Sequence, residues 1–381
     1  MKQKIRIGLL YGGKSAEHDV SILSAKNIAK ELDPETYEVM LIQVDQHGRW
    51  SLQSKINTRL DSTSASSIVN PSASNTDTEN GPCTRLLFSP GVLPGEPTRT
   101  LIPMDATQTL PDLDVIFPII HGSYGEDGSI QGLLKLLNIP FVGASVLGSA
   151  VGMDKDVMKR LLRDAGIRHA RFKCFTQNEK MTISYDTVQR ELGSPLFIKP
   201  ANLGSSIGIS KVNNEAAFLN GVELAFQYDR KIIIEEYVQG RELECALIGN
   251  EMVEASIPGE VVKTNETHDF YSYDAKYLDK ESMTVHIPAR ITEAEATRIQ
   301  ETAIAAYKAL CCEGMARVDV FLMENGEVLV NEINTLPGFT DISMYPQLWA
   351  ASGKNYQALL KQLIELALDR NKQEQQLLTT L

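Results

Sequence analysis

Arg317, Asp319, Glu332 and Asn334 are the residues of this chain whose types and spacing most plainly suggest chemistry. They lie in one stretch, Ala316 to Ser343, that alternates apolar and polar residues, reaches Glu324-Asn325-Gly326-Glu327, and returns as Val328-Leu329-Val330-Asn331-Glu332-Ile333-Asn334. An Asn-Gly pair between two apolar runs is the strongest short hairpin signal. Taken as a two-residue turn, Asn325-Gly326 sets Glu324 against Glu327, Asp319 against Glu332 and Arg317 against Asn334. Residues of equal parity share a face of a ribbon, so the four cluster. Two opposed carboxylates repel unless a cation lies between them. Oxygen donors of this kind suit Mg²⁺, held together with substrate phosphates. The same spacing fits a solvated hairpin face with an ordinary Arg–carboxylate pair, and the hairpin alone does not decide.

Other stretches carry chemical groups at the ends of predicted strands. Glu17 follows the turn Gly12-Gly13-Lys14-Ser15. His121-Gly122-Ser123-Tyr124-Gly125-Glu126-Asp127-Gly128 follows the apolar run Leu113 to Ile120. His121 fits either a ligand group or a hydrogen-bonded structural histidine, and Asp127 fits a helix cap. Lys199 precedes the small, hydroxyl-rich loop Ala201 to Ile209, whose backbone donors and lysine suit phosphates. That loop lacks the P-loop spacing G-x-x-x-x-G-K-[ST], and it also reads as a flexible turn. Glu235-Glu236-Tyr237-Val238 ends the run from Lys231 and suits backbone contacts to a base edge, with Glu242 on a ribose; a plain sheet edge is the alternative. Lys263 to Ser282 has no period and carries Tyr271, Tyr273, Lys276 and Tyr277. Long irregular loops of this kind are commonly functional lids, although a variable surface loop fits as well.

These groups need elements to position them. Lys4 to Tyr11 reads as a buried parallel strand, the residues after Asp19 as a helix to about Leu32, and Tyr37 to Asp45 as a second strand. This βαβ opening places functional groups beyond the carboxyl ends of its strands. It lacks G-x-G-x-x-G, so a dinucleotide-dependent dehydrogenase is not supported. Helices are predicted at Ser129 to Leu137, Lys155 to Ala165 with Asp154 as N-cap, Asp186 to Leu192, Glu215 to Gln227, Thr292 to Leu310 and Asn355 to Leu368, with a polar tail from Asn371. Short strands are predicted at Asn138 to Gly143, Arg171 to Thr176 and Pro195 to Lys199. Glu244 to Ile248 and Glu251 to Ile257 read as an antiparallel meander. Residues 62–80, rich in Ser, Asn and Thr, read as a surface insertion.

A chain of 381 residues exceeds one ordinary core, so two or three domains are expected. Its net charge of −12 argues against a generic nucleic-acid or anionic-membrane binder. The five cysteines form no C-x-x-C, which points to a reducing compartment rather than a disulfide framework. No stretch approaches the roughly 18 apolar residues of a membrane span, and no signal peptide is evident.

Together, the His121–Gly128 stretch, Leu203-Gly204-Ser205-Ser206-Ile207-Gly208, Tyr273-Asp274-Ala275-Lys276-Tyr277, and Arg317-x-Asp319 with Asn331-Glu332-x-Asn334-Thr335-x-Pro337-Gly338 resemble the ATP-grasp superfamily. Within it they are similar to the D-alanine–D-alanine ligase family. The resemblance spans nearly the whole chain apart from the Ser-rich insertion and the tail. It implies an α/β fold, α+β in its C-terminal part. The implied domains are a Rossmann-like substrate domain at 1–145 (insertion about 52–82), a small central domain at 146–238, and a C-terminal domain at 239–381 with the lid at 263–282 and the hairpin at 316–334. ATP would lie between the last two.

The implied reaction phosphorylates the carboxylate of one D-alanine, and the amine of a second attacks the acyl phosphate. The dipeptide would serve peptidoglycan precursor synthesis. The resemblance makes Asp319, Glu332 and Asn334 the ligands of two Mg²⁺ ions, with Glu332 shared and Mn²⁺ a substitute. Arg317 and the backbone N–H of Gly338 would stabilise developing negative charge. Glu17 would hold the first ammonium, His121 would lie near the first carboxylate, and Ser343 would hold the second carboxylate. Ser205 and Tyr277 would close a hydrogen-bonded trio with Glu17. Lys155, Lys199 and Lys276 would bind ATP phosphates and Glu242 the ribose; Tyr237 and Phe321 would flank adenine, with Glu235 and Val238 also at the ATP site. Tyr277 implies a dipeptide product rather than D-alanyl-D-lactate. A bacterial cytoplasmic homodimer is expected, binding neither nucleic acid nor membrane. The alternatives are a D-alanine–D-lactate ligase or another ATP-grasp carboxylate–amine ligase, and a non-catalytic nucleotide binder. The insertion after Ser51 departs from the pattern, and Asn202-Leu203 stand where some relatives carry a charge.

Overall fold

Strand β1 (Ile5–Gly12) runs through the interior because its sequence is apolar on both faces. It pairs in parallel with β2 (Tyr37–Val44) on one side and β6 (Val115–Pro118) on the other, and helix α1 (His18–Glu31) crosses between β1 and β2. This computed structural model describes residues 4–56, 84–88, 101–103, 112–263 and 283–378. Most of the Ser-rich insertion and most of the lid, including Lys276 and Tyr277, lie outside the described residues. Strands β3 (Trp50–Gln53), β4 (Thr84–Phe88) and β5 (Leu101–Pro103) extend the first sheet by antiparallel pairing, in the order β5-β4-β3-β2-β1-β6. At the carboxyl end of β1, Gly12 and Gly13 both take left-handed backbone, and a Cβ on Gly12 would stand 2.2 Å from the Val44 carbonyl oxygen.

The second sheet is antiparallel, in the order β7-β10-β8-β9: β7 (Phe172–Thr176), β8 (Leu196–Pro200), β9 (Ser210–Val212) and β10 (Lys231–Glu236). It shares one core, including Val188, Leu196, Phe218 and Ile232, with two helices. The third sheet contains β11 (Arg241–Gly249), β12 (Glu254–Ala255), β13 (Gly259–Lys263), β14 (Met283–His286), β15 (Gly314–Leu322) and β16 (Val328–Asn334). Helix α2 (Ser129–Leu136) follows the His121 turn. Helices α3 (Val146–Met153) and α4 (Lys155–Asp164) give Val151, Met158 and Leu162 to the core of the third sheet. The helix Glu293–Ala309 buries the expected stripe of Ile299, Ala303 and Leu310 in the same core. Another core joins the first and third sheets, with Leu9 and Phe117 beside Ala246, Met315 and Phe339. No helix among the described residues is long and apolar enough to cross a membrane.

Three local expectations are corrected. Asn138 to Gly143 is no strand; Phe141 makes a single bridge to Ile116. The last helix (Tyr356–Gln375) continues through the polar residues after Asn371, because Leu359, Leu363 and Ala367 anchor one face while the other stays solvated. The third correction concerns the Asn325-Gly326 turn. Met323 N–H donates to the Glu327 carbonyl at 2.9 Å, and Gly326 N–H donates to the Met323 carbonyl at 2.9 Å. The loop is therefore the three residues Glu324, Asn325 and Gly326, with Gly326 left-handed at φ +77°. Near the turn Leu322 pairs with Val328 and Val320 with Val330, one step out of the expected register. A bulge between Asp319/Val320 and their partners leaves Asn331 as the extra residue. Beyond it Asp319 faces Glu332 and Arg317 faces Asn334, as expected. Core packing requires the bulge: Val328, Val330 and Ile333 are all buried, and no strict period of two puts all three on one face.

Candidate active site

A cleft of about 360 Å³ opens between the second and third sheets. The second sheet and its exit contribute Lys199, Glu235, Tyr237 and Val238; the third contributes Glu242, Asp319, Phe321 and Glu332. Lys155, at the first turn of α4, closes the inner end. The strand pattern explains the lining. Arg317, Asp319 and Phe321 have odd parity on β15 and face the cleft side, while Val318, Val320 and Leu322 fill the core. On β11, Glu242 stands opposite Phe321 and Glu244 opposite Asp319.

The polar end of the cleft is densely charged. Arg317 makes a two-point ion pair with Asp319, and its Nε lies 2.9 Å from Glu244 Oε2. Lys155 Nζ donates to the Leu203 carbonyl at 2.6 Å and lies 3.7 Å from Glu332 Oε2. It thereby ties the Gly/Ser loop to the hairpin. In that loop Ile207 N–H donates to the Gly204 carbonyl, and both central residues, Ser205 and Ser206, take positive φ. Such backbone is uncommon for serine and costs on the order of 1–3 kcal/mol per residue, the kind of strain that clusters at ligand clamps. Ser205 Oγ donates to Glu17 Oε1 across 188 residues of sequence. Glu17 sits where β1 hands over to α1, on the same side as Gly122.

His121 is buried just behind Glu17. Its Nδ1 lies 3.1 Å from the Leu336 carbonyl and 3.4 Å from Glu126 Oε1, and its Nε2 lies 3.3 Å from Ser24 Oγ. Burial opposes protonation of this imidazole. Glu126, Glu17 and the Leu336 carbonyl outweigh burial, so its pKa is raised. The Glu126 carboxyl is also raised, by burial first and by Glu17. Ser24 Oγ accepts the Phe339 N–H at 3.2 Å, and Phe339 is held in an aromatic cluster with Phe117, Tyr345 and Tyr356. These contacts fix the loop after β16 against the first sheet. In that loop a Cβ on Gly338 would stand 2.7 Å from Ser343 Oγ, so only glycine lets the hydroxyl come so close. Ser343 Oγ also accepts the Thr340 N–H at 2.9 Å.

The fold thus brings seven expected nucleotide-side residues to one cleft: Lys155, Lys199, Glu235, Tyr237, Val238, Glu242 and Phe321. Tyr237 is 43% exposed, stacks beside Phe197 and has the Lys211 Nζ 5.1 Å from its ring centre. Two features differ from a simple contact list. The Glu235 carboxylate is buried and engaged by Lys199 at 2.7 Å and Lys159 at 3.0 Å. The Asn334 side-chain oxygen accepts the Leu336 N–H at 3.0 Å. Glu126 belongs to the His121–Gly128 stretch, whereas the sequence alone assigns no site role to Glu244 or Lys159. Glu244 shares the parity of Glu242 on one strand, and Lys159 stands one helical turn from Lys155, so both were open to periodicity.

Two family models cover the chain: the D-ala D-ala ligase N-terminus at residues 6–144 and the D-ala D-ala ligase C-terminus at 161–365. The chain is 48% identical to a D-alanine–D-alanine ligase of Oceanobacillus iheyensis over 98% of both chains, and 48% identical to D-alanine–D-alanine ligase A of Escherichia coli K12 over 100% of both. The chain belongs to the D-alanine–D-alanine ligase family. It is therefore an ATP-dependent ligase with the ATP-grasp fold. Solved members of like fold include the D-alanine–D-alanine ligase of Coxiella burnetii (TM-score 0.81, 36% identity, covering 98% of this chain and 96% of that one). A D-Ala:D-Ser ligase of Enterococcus faecalis is also similar (TM-score 0.81, 31% identity, covering 96% of this chain and 100% of that one). The expected α/β fold class and ligase family both hold.

Proposed function

We propose that this chain joins two D-alanines into D-alanyl-D-alanine, with ATP converted to ADP and phosphate. The observation that carries this reading is the Ser205–Glu17 hydrogen bond. It sets the loop suited to gripping phosphates against an acid suited to an amino-acid ammonium. One ligand would hold the transferable phosphate and another the carboxylate to receive it.

In the first step a carboxylate oxygen of the first D-alanine attacks the γ-phosphorus, and the bond to the bridging oxygen of ADP breaks. Lys155 and Lys199 offset charge on the polyphosphate, and Arg317 offsets charge on the group in transfer. Glu17 binds the first ammonium, and His121 lies near its carboxylate. In the second step the amine of the second D-alanine attacks the acyl carbon. The oxyanion of the tetrahedral intermediate takes a hydrogen bond from Gly338 N–H, and collapse expels phosphate. Ser343 holds the second carboxylate.

The donor set suits a hard cation. Asp319 and Glu332 stand opposite each other, and each has a cation beside it, Arg317 and Lys155. Among the described residues no three His, Cys, Asp or Glu side chains converge as a metal site. A cation here would draw on two carboxylates, the Asn334 amide and oxygens of its phosphate substrate. Asp319, Glu332 and Asn334 would hold Mg²⁺ (two ions, with Mn²⁺ a substitute), which would supply charge neutralisation to the triphosphate. The three-domain division, the homodimer and the cytoplasmic setting belong to the same proposal.

Product analysis tests the acceptor. Purified chain given ATP, Mg²⁺, D-alanine and equal D-serine and D-lactate is expected to yield mostly D-alanyl-D-alanine. Faster formation of the mixed dipeptide or of the depsipeptide would overturn that reading.

A further inference from the structure

Lys159 is the most deeply buried charged residue near the cleft, with 1% of its surface exposed. It stands four residues after Lys155, on the same face of α4. Its Nζ lies 3.0 Å from Glu235 Oε1 and 6.0 Å from the centre of the Phe172 ring. The two charged atoms are close but poorly aligned for a hydrogen bond, so their attraction is Coulombic. The other oxygen of Glu235 accepts a hydrogen bond from Lys199 Nζ at 2.7 Å. Lys199 and Glu235 line the cleft, and Lys159 lies behind them.

Burying an ammonium is costly, and a buried ion pair is weak evidence for stability, so Lys159 calls for another explanation. Charge supplies one. Glu235 with Lys199 alone would be a neutral pair, and the lysine expected to meet phosphate would carry its own counter-ion. With Lys159 present the trio holds two positive charges and one negative.

We propose that Lys159 is a positioning residue of the nucleotide subsite: by occupying one oxygen of Glu235 it keeps that carboxylate from cancelling Lys199 and leaves one net positive charge facing the polyphosphate. The inference rests on the reading of this cleft as the ATP site. Burial, with repulsion from Lys199 and Lys155, outweighs Glu235 and lowers the Lys159 ammonium below its ordinary pKa, whereas the ionisation of its two partners agrees with the proposal. Burial alone would raise Glu235, but Lys159 and Lys199 outweigh burial and hold it at about 2. Burial disfavours the Lys199 ammonium, yet Glu235 brings its pKa above the ordinary value. The carboxylate is thus charged throughout the neutral range.

Calorimetric binding of Mg-ADP to the full chain tests this with three proteins: wild type, Lys159→Met, and Lys159→Met with Glu235→Gln. The single variant leaves a neutral Lys199–Glu235 pair and is expected to bind ADP about tenfold more weakly or worse, since the net charge of the trio falls from one to zero. Its KM for D-alanine should stay unchanged. The double variant removes one positive and one negative charge and restores the net charge of the trio, so most of the affinity should return. A packing role predicts the reverse, because the second core substitution would add to the damage. Unchanged ADP binding in Lys159→Met, or a double variant no better than the single, overturns the proposal. If Lys159→Met does not fold, the double variant alone decides: affinity within about threefold of wild type supports the proposal, and a greater loss in folded protein overturns it. Failure of wild type to bind ADP would instead sink the nucleotide reading of the cleft.

Discussion

Arg317 and Asp319, two residues apart on β15, close a two-point ion pair, Nε to Oδ1 at 2.7 Å and Nη2 to Oδ2 at 2.7 Å. The proposed reaction asks both partners to act elsewhere, Asp319 on a cation and Arg317 on a phosphate. Glu244 makes that separation feasible. It stands opposite Asp319 on β11 with an oxygen 2.9 Å from Arg317 Nε, and so offers the guanidinium a second anchor. Glu244→Gln is expected to cut kcat by about tenfold while leaving Mn²⁺ affinity near wild type. Steady-state kinetics and Mn²⁺ titration by electron paramagnetic resonance check it. A matching fall in Mn²⁺ affinity would make Glu244 a ligand instead.

Glu332→Gln removes charge from the residue proposed as the shared metal ligand. Turnover should drop on the order of a hundredfold or more, with weaker Mn²⁺ binding. Near-normal ligase activity would rule out the metal role of this hairpin face.

Gly338→Ala would set a Cβ 2.7 Å from Ser343 Oγ, well inside contact distance. Either the hydroxyl or the Gly338 N–H must move, and small displacements of catalytic groups cost on the order of a hundredfold. The loss is expected in kcat and in KM for the second D-alanine, with KM for ATP unchanged. A stopped-flow or coupled assay varying one substrate at a time separates these, and wild-type constants in the variant would contradict the assignment.

The hairpin shows how far the sequence could be read. Alternation on β15 correctly placed Arg317, Asp319 and Phe321 on one face, because burying Val318, Val320 and Leu322 fixes parity. The turn was misread, yet the pairs Asp319–Glu332 and Arg317–Asn334 formed as expected. Two one-residue errors cancelled: a three-residue loop moved the register one way and the bulge at Asn331 moved it back. The shift from Val328 and Val330 to Ile333 was visible evidence of that bulge. Helix α3 was not legible because VLGSAVGM has no amphipathic period. The helix Met344–Ala351 was obscured by Pro346, which a first helical turn tolerates. The Lys159–Glu235–Lys199 trio depends on tertiary packing between α4 and the second sheet, which local pattern does not reveal.

His121 provides a pH signature. Its folded pKa lies above the ordinary 6.5, so the folded state favours the protonated ring. The resulting stability is fully present below the unfolded value and is lost as pH rises through the higher folded value. The difference in Tm between wild type and His121→Gln should therefore shrink from about pH 5.5 to about pH 9. A difference that stays constant or grows would contradict the Glu126–His121 pairing.

Ser205→Ala removes the hydroxyl that bridges the Gly/Ser loop to Glu17. The KM for the first D-alanine should rise about tenfold, and ADP binding should change little. A selective loss of ADP affinity instead would show that Ser205 serves the nucleotide rather than the amino acid.

This chain is proposed to activate a D-alanine carboxylate by phosphorylation. Purified enzyme incubated with ATP, Mg²⁺ and D-alanine labelled with ¹⁸O in its carboxylate puts that claim to the most direct test. Mass analysis of the released phosphate is expected to find one heavy oxygen carried over from the amino acid, together with D-alanyl-D-alanine in equal amount. Phosphate without the label, or phosphate release that does not depend on D-alanine, would contradict the account.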